Sequence, residues 1–206
     1  PLACDYHGVT VLKPGVWSQG PVHLQTLALL KGFDLGAMGP VSAEFVHTVV
    51  EAQKLAFADR EAWYGDPDFA DVPIAHLLSD AYNDARRRLI GERASLELRP
   101  GAVPGRATPW VDHAAKDRSA ASYGSNTGAG EPTVARLGAG GGDTCHLDGI
   151  DRHGNMVSAT PSGGWLQSSP VIPGLGFPLG TRGQMFWLRE DHPNGLAPRK
   201  RPRTTL

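Results

Sequence analysis

The sequence has little of what marks several functional classes. Only two of its 206 residues are cysteine, Cys4 and Cys145, too few for the disulfide framework of a small secreted domain. No apolar run approaches the ~18 residues that a membrane-spanning helix needs. Neither sign of charge dominates: the formal net charge is −1, which leaves no electrostatic footprint for nucleic acid or for an anionic membrane surface. An initiator Met is absent, and the chain closes on Lys200-Arg-Pro-Arg-Thr-Thr-Leu206 without a polar tail. Both ends read as cut, and the compartment is left open because any leader would lie outside this window.

What is present first is a mixed α/β pattern over residues 1–100. Gly8-Val-Thr-Val-Leu12 is strand-like. His23 to Phe33 has apolar residues at helical spacing, next to a Gly stop. The clearest helix starts from Ser42 as N-cap. Phe45, Val46, Val49, Val50, Leu55, Ala56 and Ala58 follow at 3.6-residue spacing, up to Trp63 and the break at Gly65-Asp66-Pro67. A third helix is expected from Asp80 to Gly91, with Arg86-Arg87-Arg88 near its C-terminus as a favourable charge on a solvated face.

From Arg99 to Gly142 the composition shifts to Gly, Pro, Ser, Thr and Ala, ending in Gly138-Ala-Gly-Gly-Gly-Gly142. Residues 101–143 are therefore expected to form a flexible segment without a core of its own. Order is expected to return at Asp143. Thr144 to Asp151 reads as a strand, His153-Gly154-Asn155 as a turn and Met156 to Thr160 as a returning strand.

A Gly-rich tether that ends just before a hairpin Thr has chemical meaning. An N-terminal Thr can use its own α-amine as the base for its hydroxyl. To create one, the chain must be cut just before it, which needs a distortable backbone upstream and a rigid strand downstream. A Thr at a strand start is also simply a good strand former, so this juxtaposition alone leaves both readings open.

Three segments, in order, resemble the γ-glutamyltranspeptidase family of N-terminal-nucleophile (Ntn) hydrolases. The first is Phe57-Ala58-Asp59-Arg60 with Tyr64-Gly65-Asp66-Pro67-Asp68-Phe69. The second is Thr144-Cys145-His146 followed by Asp151-Arg-His-Gly154-Asn155-Met-Val157. The third is Leu196-Ala-Pro198 with Lys200-Arg201-Pro202. The resemblance spans the chain and implies an Ntn-hydrolase αββα sandwich of α/β class, incomplete here. Residues 1–100 would come from the C-terminal part of the large subunit, 101–143 would precede the processing site, and 144–206 would open the small subunit.

The resemblance also implies roles. Thr144 would be the nucleophile, freed by cleavage between Asp143 and Thr144, and Ser162 would hydrogen-bond it. Gln184, Thr204 and Thr205 would contact substrate, with the Thr pair standing where the family has two Ser that help form the oxyanion hole. Cys145 stands for a second Thr and is equally readable as a small buried residue. His146 is expected to make structural hydrogen bonds, and Asp59 and Arg60 to form an ion pair or to cap the Asp66 loop. No metal or organic cofactor is implied, because the α-amine supplies the base. The implied partners are a small-molecule γ-glutamyl amide and, after self-cleavage, the complementary subunit of a heterodimer.

Two positions depart from the family. Gly164 replaces an Asn that helps hold the γ-glutamyl head, and Phe186-Trp187 follows Gln184-Met185 where an acidic residue pairs with the substrate α-amine. A lost carboxylate removes a charge-assisted bond. The aromatics would line an apolar acyl pocket or belong to the core. These departures favour one alternative to γ-glutamyl transfer, a cephalosporin-acylase-like amide hydrolase, and a non-catalytic remnant acting as scaffold stands as a second alternative of another class.

Overall fold

A computed structural model describes residues 1–107, 146–160, 171–176 and 181–203. They belong to two compact units, Pro1–Ser125 with Phe186–Leu206 and Asn126–Met185.

The first unit opens with a hairpin the sequence reading saw only in half. Strand β1 (Leu2–Tyr6) pairs antiparallel with β2 (Val9–Lys13), from Leu2 opposite Lys13 to Tyr6 opposite Val9. The two-residue turn needs positive φ at both positions, and His7 (47°) and Gly8 (82°) supply it. Helix α1 (Gly20–Leu30) begins three residues before the expected His23, because Pro21 sits in the first turn, where its missing N–H costs nothing. One-turn helices α2 (Leu35–Met38) and α4 (Ile74–Leu77) are too short to leave a periodic signal.

Helix α3 (Ala43–Trp63) has the expected start: the Ser42 hydroxyl accepts from Phe45 N–H at 3.0 Å. Its apolar face differs from the expected one. Val46 and Val50 are exposed, and burial runs through Thr48, Glu51, Ala52, Leu55, Ala56, Ala58, Asp59, Ala62 and Trp63. Helix α5 (Asp80–Arg87) is capped by Ser79 and ends four residues before Gly91. There the backbone tightens, with Leu89 N–H bonded to Arg86 O and Ile90 N–H to Arg87 O, both at 3.0 Å.

Val22, Leu29, Leu30, Leu55, Trp63, Tyr64, Leu77, Tyr82 and Val103 form the core between α1, α3 and α5. Gly101 and Val103 show that the start of the Gly/Pro-rich stretch packs into this core. The Trp63 indole N–H donates to Gly101 O at 3.0 Å, and a Cβ at position 101 would collide with the Tyr82 hydroxyl.

The arginines at the end of α5, Arg86 and Arg87 within it and Arg88 just after it, part company, which corrects the reading of a single solvated cluster. Arg86 is buried and reaches Asp59 Oδ1 at 3.1 Å. Arg87 turns to α1 and donates to Leu29 O (2.7 Å) and Ala28 O (2.8 Å), satisfying carbonyls that a helix C-terminus leaves open. Only Arg88 is exposed.

In the second unit β3 (Leu147–Ile150) and β4 (Met156–Ala159) form the expected hairpin, from Leu147 opposite Ala159 to Ile150 opposite Met156. Asp151 organises its turn: its carboxylate accepts from His153 N–H (2.8 Å), Asn155 N–H (2.9 Å) and the Asn155 amide (2.7 Å). These donors hold the Asp151 carboxyl below its ordinary range, the Asn155 side chain contributing most. A 3-10 helix spans Thr181–Met185. Among the described residues no helix is long and apolar enough to cross a membrane. The mixture of helix and strand agrees with the expected α/β class.

Candidate active site

Asp143, Thr144, Cys145, Ser162, Gly164, Thr204 and Thr205 lie outside the described residues. Gln184 is in the Thr181–Met185 helix. The structure describes two supports that flank these positions in sequence, one in each unit.

The first support is the mouth of the β3–β4 hairpin. His146, one residue before β3, has Nδ1 2.6 Å from the Thr160 hydroxyl, one residue after β4. Its Nε2 lies 3.0 Å from Asp148 Oδ2. One tautomer satisfies both contacts: Nε2–H donates to the carboxylate, and Nδ1 accepts from the Thr160 hydroxyl. The Ser158 hydroxyl, opposite Asp148 in the register, and then His146 keep the Asp148 carboxyl below its usual range. The structural hydrogen-bonding role expected of His146 is what this geometry shows.

The second support is the end of α3 and the loop after it, against which residues 192–203 pack. His192 Nε2 donates to Glu61 O at 2.9 Å, and its Nδ1 accepts from Asn194 N–H at 3.0 Å. Arg203 donates to Arg60 O (2.8 Å) and Glu61 Oε2 (2.9 Å), while its own N–H reaches Asn194 Oδ1 at 3.3 Å. Arg201 grips Asp66 from both backbone and side chain, and also reaches Asp68 at 3.0 Å. The chain passes so close to Pro193 O that a Cβ at Gly65 would collide with it.

The electrostatics follow from burial. Asp66 is held down to about 2 by the Arg201 side chain, with backbone donors adding to it. His192 is pushed down to about 4, mainly by burial and then by Arg203. Burial opposes the charge on Glu61, but Arg203 and Arg60 outweigh it and its carboxyl stays below the ordinary value. Arg60 is lowered to about 10 by burial and by Arg203. Asp59, expected in an ion pair, is paired with Arg86 and also accepts from the Gln25 amide and Gly101 N–H, each at 2.6 Å. The Asp66 loop is capped by Arg201, whereas Arg60 pairs with its neighbour Glu61.

Phe186 and Trp187 are both half-buried. Trp187 exchanges backbone bonds with Asn194 O (3.0 Å) and Leu196 N–H (2.9 Å), and its ring lies 5.5 Å from that of His192. Sequence reasoning missed His192, Asn194, Arg203 and Glu61. The available signal was weak: His192-Pro-Asn-Gly195 is a turn sequence, and Arg203 continues a basic run that reads as a solvated tail.

The Gamma-glutamyltranspeptidase family model matches residues 1–206, and the chain belongs to that family. Among solved structures, that of LmbA2991HD is 53% identical with a TM-score of 0.75, over 100% of this chain and 32% of that one. A cephalosporin acylase from Bacillus halodurans is 31% identical with a TM-score of 0.68, over 100% of this chain and 31% of its own. The glutathione hydrolase proenzyme of Escherichia coli (strain K12) is 33% identical over 221 residues, covering 100% of this chain and 32% of the relative. The chain thus spans about a third of the length of the curated relatives it matches.

Proposed function

We propose that this chain is the part of an Ntn amide hydrolase that carries its processing site and nucleophile, with Thr144 in that role. The Thr144 hydroxyl attacks the Asp143 carbonyl carbon, the C–N bond breaks as the nitrogen takes up the proton, and water hydrolyses the resulting ester. This leaves an Asp143 carboxylate and a free Thr144 α-amine. In turnover that amine takes the hydroxyl proton as Oγ attacks a γ-glutamyl-type amide. The proton passes to the departing amine, and water or another amine then releases the acyl group.

The observation that carries this reading is the register of the hairpin. Leu147 faces Ala159, and the next pair outward, His146 and Thr160, is joined by a side-chain contact of 2.6 Å. We propose that Ser162, two residues beyond Thr160 in sequence, hydrogen-bonds the nucleophile Thr144, two residues before His146. Gln184 and the Thr204–Thr205 pair complete the proposed substrate contacts, the backbone N–H groups of the pair serving as oxyanion donors. The large and small fragments would remain together as a heterodimer, in keeping with relatives that are proenzymes.

A second acyl specificity is favoured by Gly164 and by Phe186-Trp187 in place of an acidic residue, and by similarity to a cephalosporin acylase. Rates on a γ-glutamyl anilide and a glutaryl anilide separate the two, since only the first carries an α-amine. Faster turnover of the γ-glutamyl compound supports transpeptidase-like specificity, and preference for the glutaryl compound supports acylase-like specificity. A full-length protein that never cleaves and turns over neither compound would instead be the scaffold.

A further inference from the structure

Residues 186–203 lie downstream of Thr144 in sequence, yet they fold into the same compact unit as residues 1–107. A cut before Thr144 would therefore divide this unit between two chains. The contacts between residues 60–69 and residues 192–203 would then join one fragment to the other.

Those contacts run in one direction. Arg203 donates to Arg60 O at 2.8 Å and to Glu61 Oε2 at 2.9 Å, and His192 Nε2 donates to Glu61 O at 2.9 Å. Arg201 donates to Asp66 through its backbone N–H, Nε and Nη2, and to Asp68 Oδ2 at 3.0 Å. In every one of these bonds the donor is downstream of Thr144 and the acceptor is upstream. Lys200 adds a further cation, its Nζ 5.6 Å from the centre of the Phe69 ring.

The upstream seat follows from the end of α3. The last turn of a helix leaves carbonyls without intrahelical partners and carries the negative end of the dipole, so cationic donors are favoured there. Asp66 and Asp68 continue the acceptor surface into the next loop. The docking is costly as well as attractive. Arg203 is 3% exposed, and its Nε, like that of Arg60, is buried with no hydrogen-bond partner among the described residues. The attraction between Arg203 and Glu61 has to outweigh that cost for the segment to stay in place.

We propose that residues 192–203 form a cationic strap with which the fragment beginning at Thr144 grips the upstream fragment once the Asp143–Thr144 bond is cut. This rests on the nucleophile reading above and deepens it by naming the surface and its chemistry. While the bond is intact, the covalent link keeps the two segments at high effective concentration. After the cut that advantage is lost, and the pairs Arg203–Glu61 and Arg201–Asp66 hold the fragments together. Arg203 is the stronger anchor, because the Arg201 side chain is 51% exposed and its pairing is weakened by solvent.

The test uses the full-length protein, tagged at its C-terminus, with Arg203→Ala, Arg201→Ala and Glu61→Gln. Arg88→Ala is the control, an exposed arginine outside the strap. Processing is established by mass, and release of the upstream fragment from the immobilised downstream one is timed in moderate urea. The expected result is release about 30-fold faster in Arg203→Ala, the scale of losing one partner of a buried charge pair. Smaller increases are expected in Arg201→Ala and Glu61→Gln, and the wild-type rate in Arg88→Ala. Cooperative melting of the same substitutions in uncut Thr144→Ala shows that each variant still folds. Glu61→Gln preserves shape and decides the matter where Arg203→Ala does not fold. Folded, processed strap variants that release at the wild-type rate overturn the strap alone. An uncut wild type overturns the nucleophile reading and the strap with it.

Discussion

Asp66 and Arg201 are joined across 135 positions of sequence by a two-oxygen bridge, with Arg201 Nη2 2.8 Å from Oδ1 and Nε 3.1 Å from Oδ2. The Arg201 N–H adds a third bond at 2.8 Å, so the carboxylate binds both the side chain and the path of the chain. Asp66 lies within the Gly65-Asp66-Pro67 break that follows α3, and Arg201 precedes the proposed oxyanion pair. The contact therefore links a segment upstream of Thr144 with one downstream.

This bridge sets a pH dependence. The Asp66 carboxyl lies at about 2 when folded and near 3.9 when unfolded. Because the folded value is the lower one, the unfolded chain binds more protons between these values, and stability falls as pH drops from about 4 to about 2. Denaturant titrations of the full-length protein should show this slope in wild type and a weaker slope in Asp66→Asn. Arg201 is half-exposed, so screening by salt should reduce the effect. Identical slopes in the two proteins would show that the bridge contributes nothing.

His192 acts in a different window. Burial lowers it to about 4 when folded, against about 6.5 when unfolded. The neutral ring is the one that accepts from Asn194 N–H, and protonation of Nδ1 breaks that bond. The unfolded state binds the extra proton first, so this contribution is complete above pH ~6.5 and is lost as pH falls towards ~4. His192→Asn should flatten the stability profile across that interval while leaving the window below pH ~4 unchanged. A profile equally steep in the variant would mean that another group titrates there.

The buried pair of Asp59 and Arg86 should be the most costly to break. Asp59 is fully buried, and Arg86 is its ionic partner at 3.1 Å. Burial already pushes the Asp59 carboxyl above its ordinary value, Arg86→Met removes the cation that opposes this, and loss of one partner in such a pair typically costs about 3–5 kcal/mol. Urea unfolding measures this directly. A loss below about 1 kcal/mol would contradict a strong dependence of the fold on this pair.

Much of this was legible in the sequence, and the misses have physical causes. Helix α3 announced itself through Ser42, a cap that acts locally, and through its break at Gly65-Asp66-Pro67. The β3–β4 hairpin was equally readable, because Asp151, Gly154 and Asn155 close its turn with their own groups. Arg86 was misread because a basic residue near a helix end has a sufficient local explanation, while its partner Asp59 lies 27 positions away. Val46 and Val50 were placed on the buried face because periodicity does not say which stretch of a helix has a neighbour. The contacts among Glu61, His192, Asn194 and Arg203 were invisible for a similar reason: they span up to 142 positions, and none of these residues stands out alone.

The central claim is that the chain is cut before Thr144 by that residue's own hydroxyl. Intact-mass measurement with N-terminal sequencing, on full-length wild type and on Thr144→Ala, tests it most directly. The account predicts a small fragment beginning Thr144-Cys145-His146 in wild type and a single uncut chain in the variant. A folded wild-type protein that remains uncut after long incubation, or a variant cut at the same bond, would contradict it.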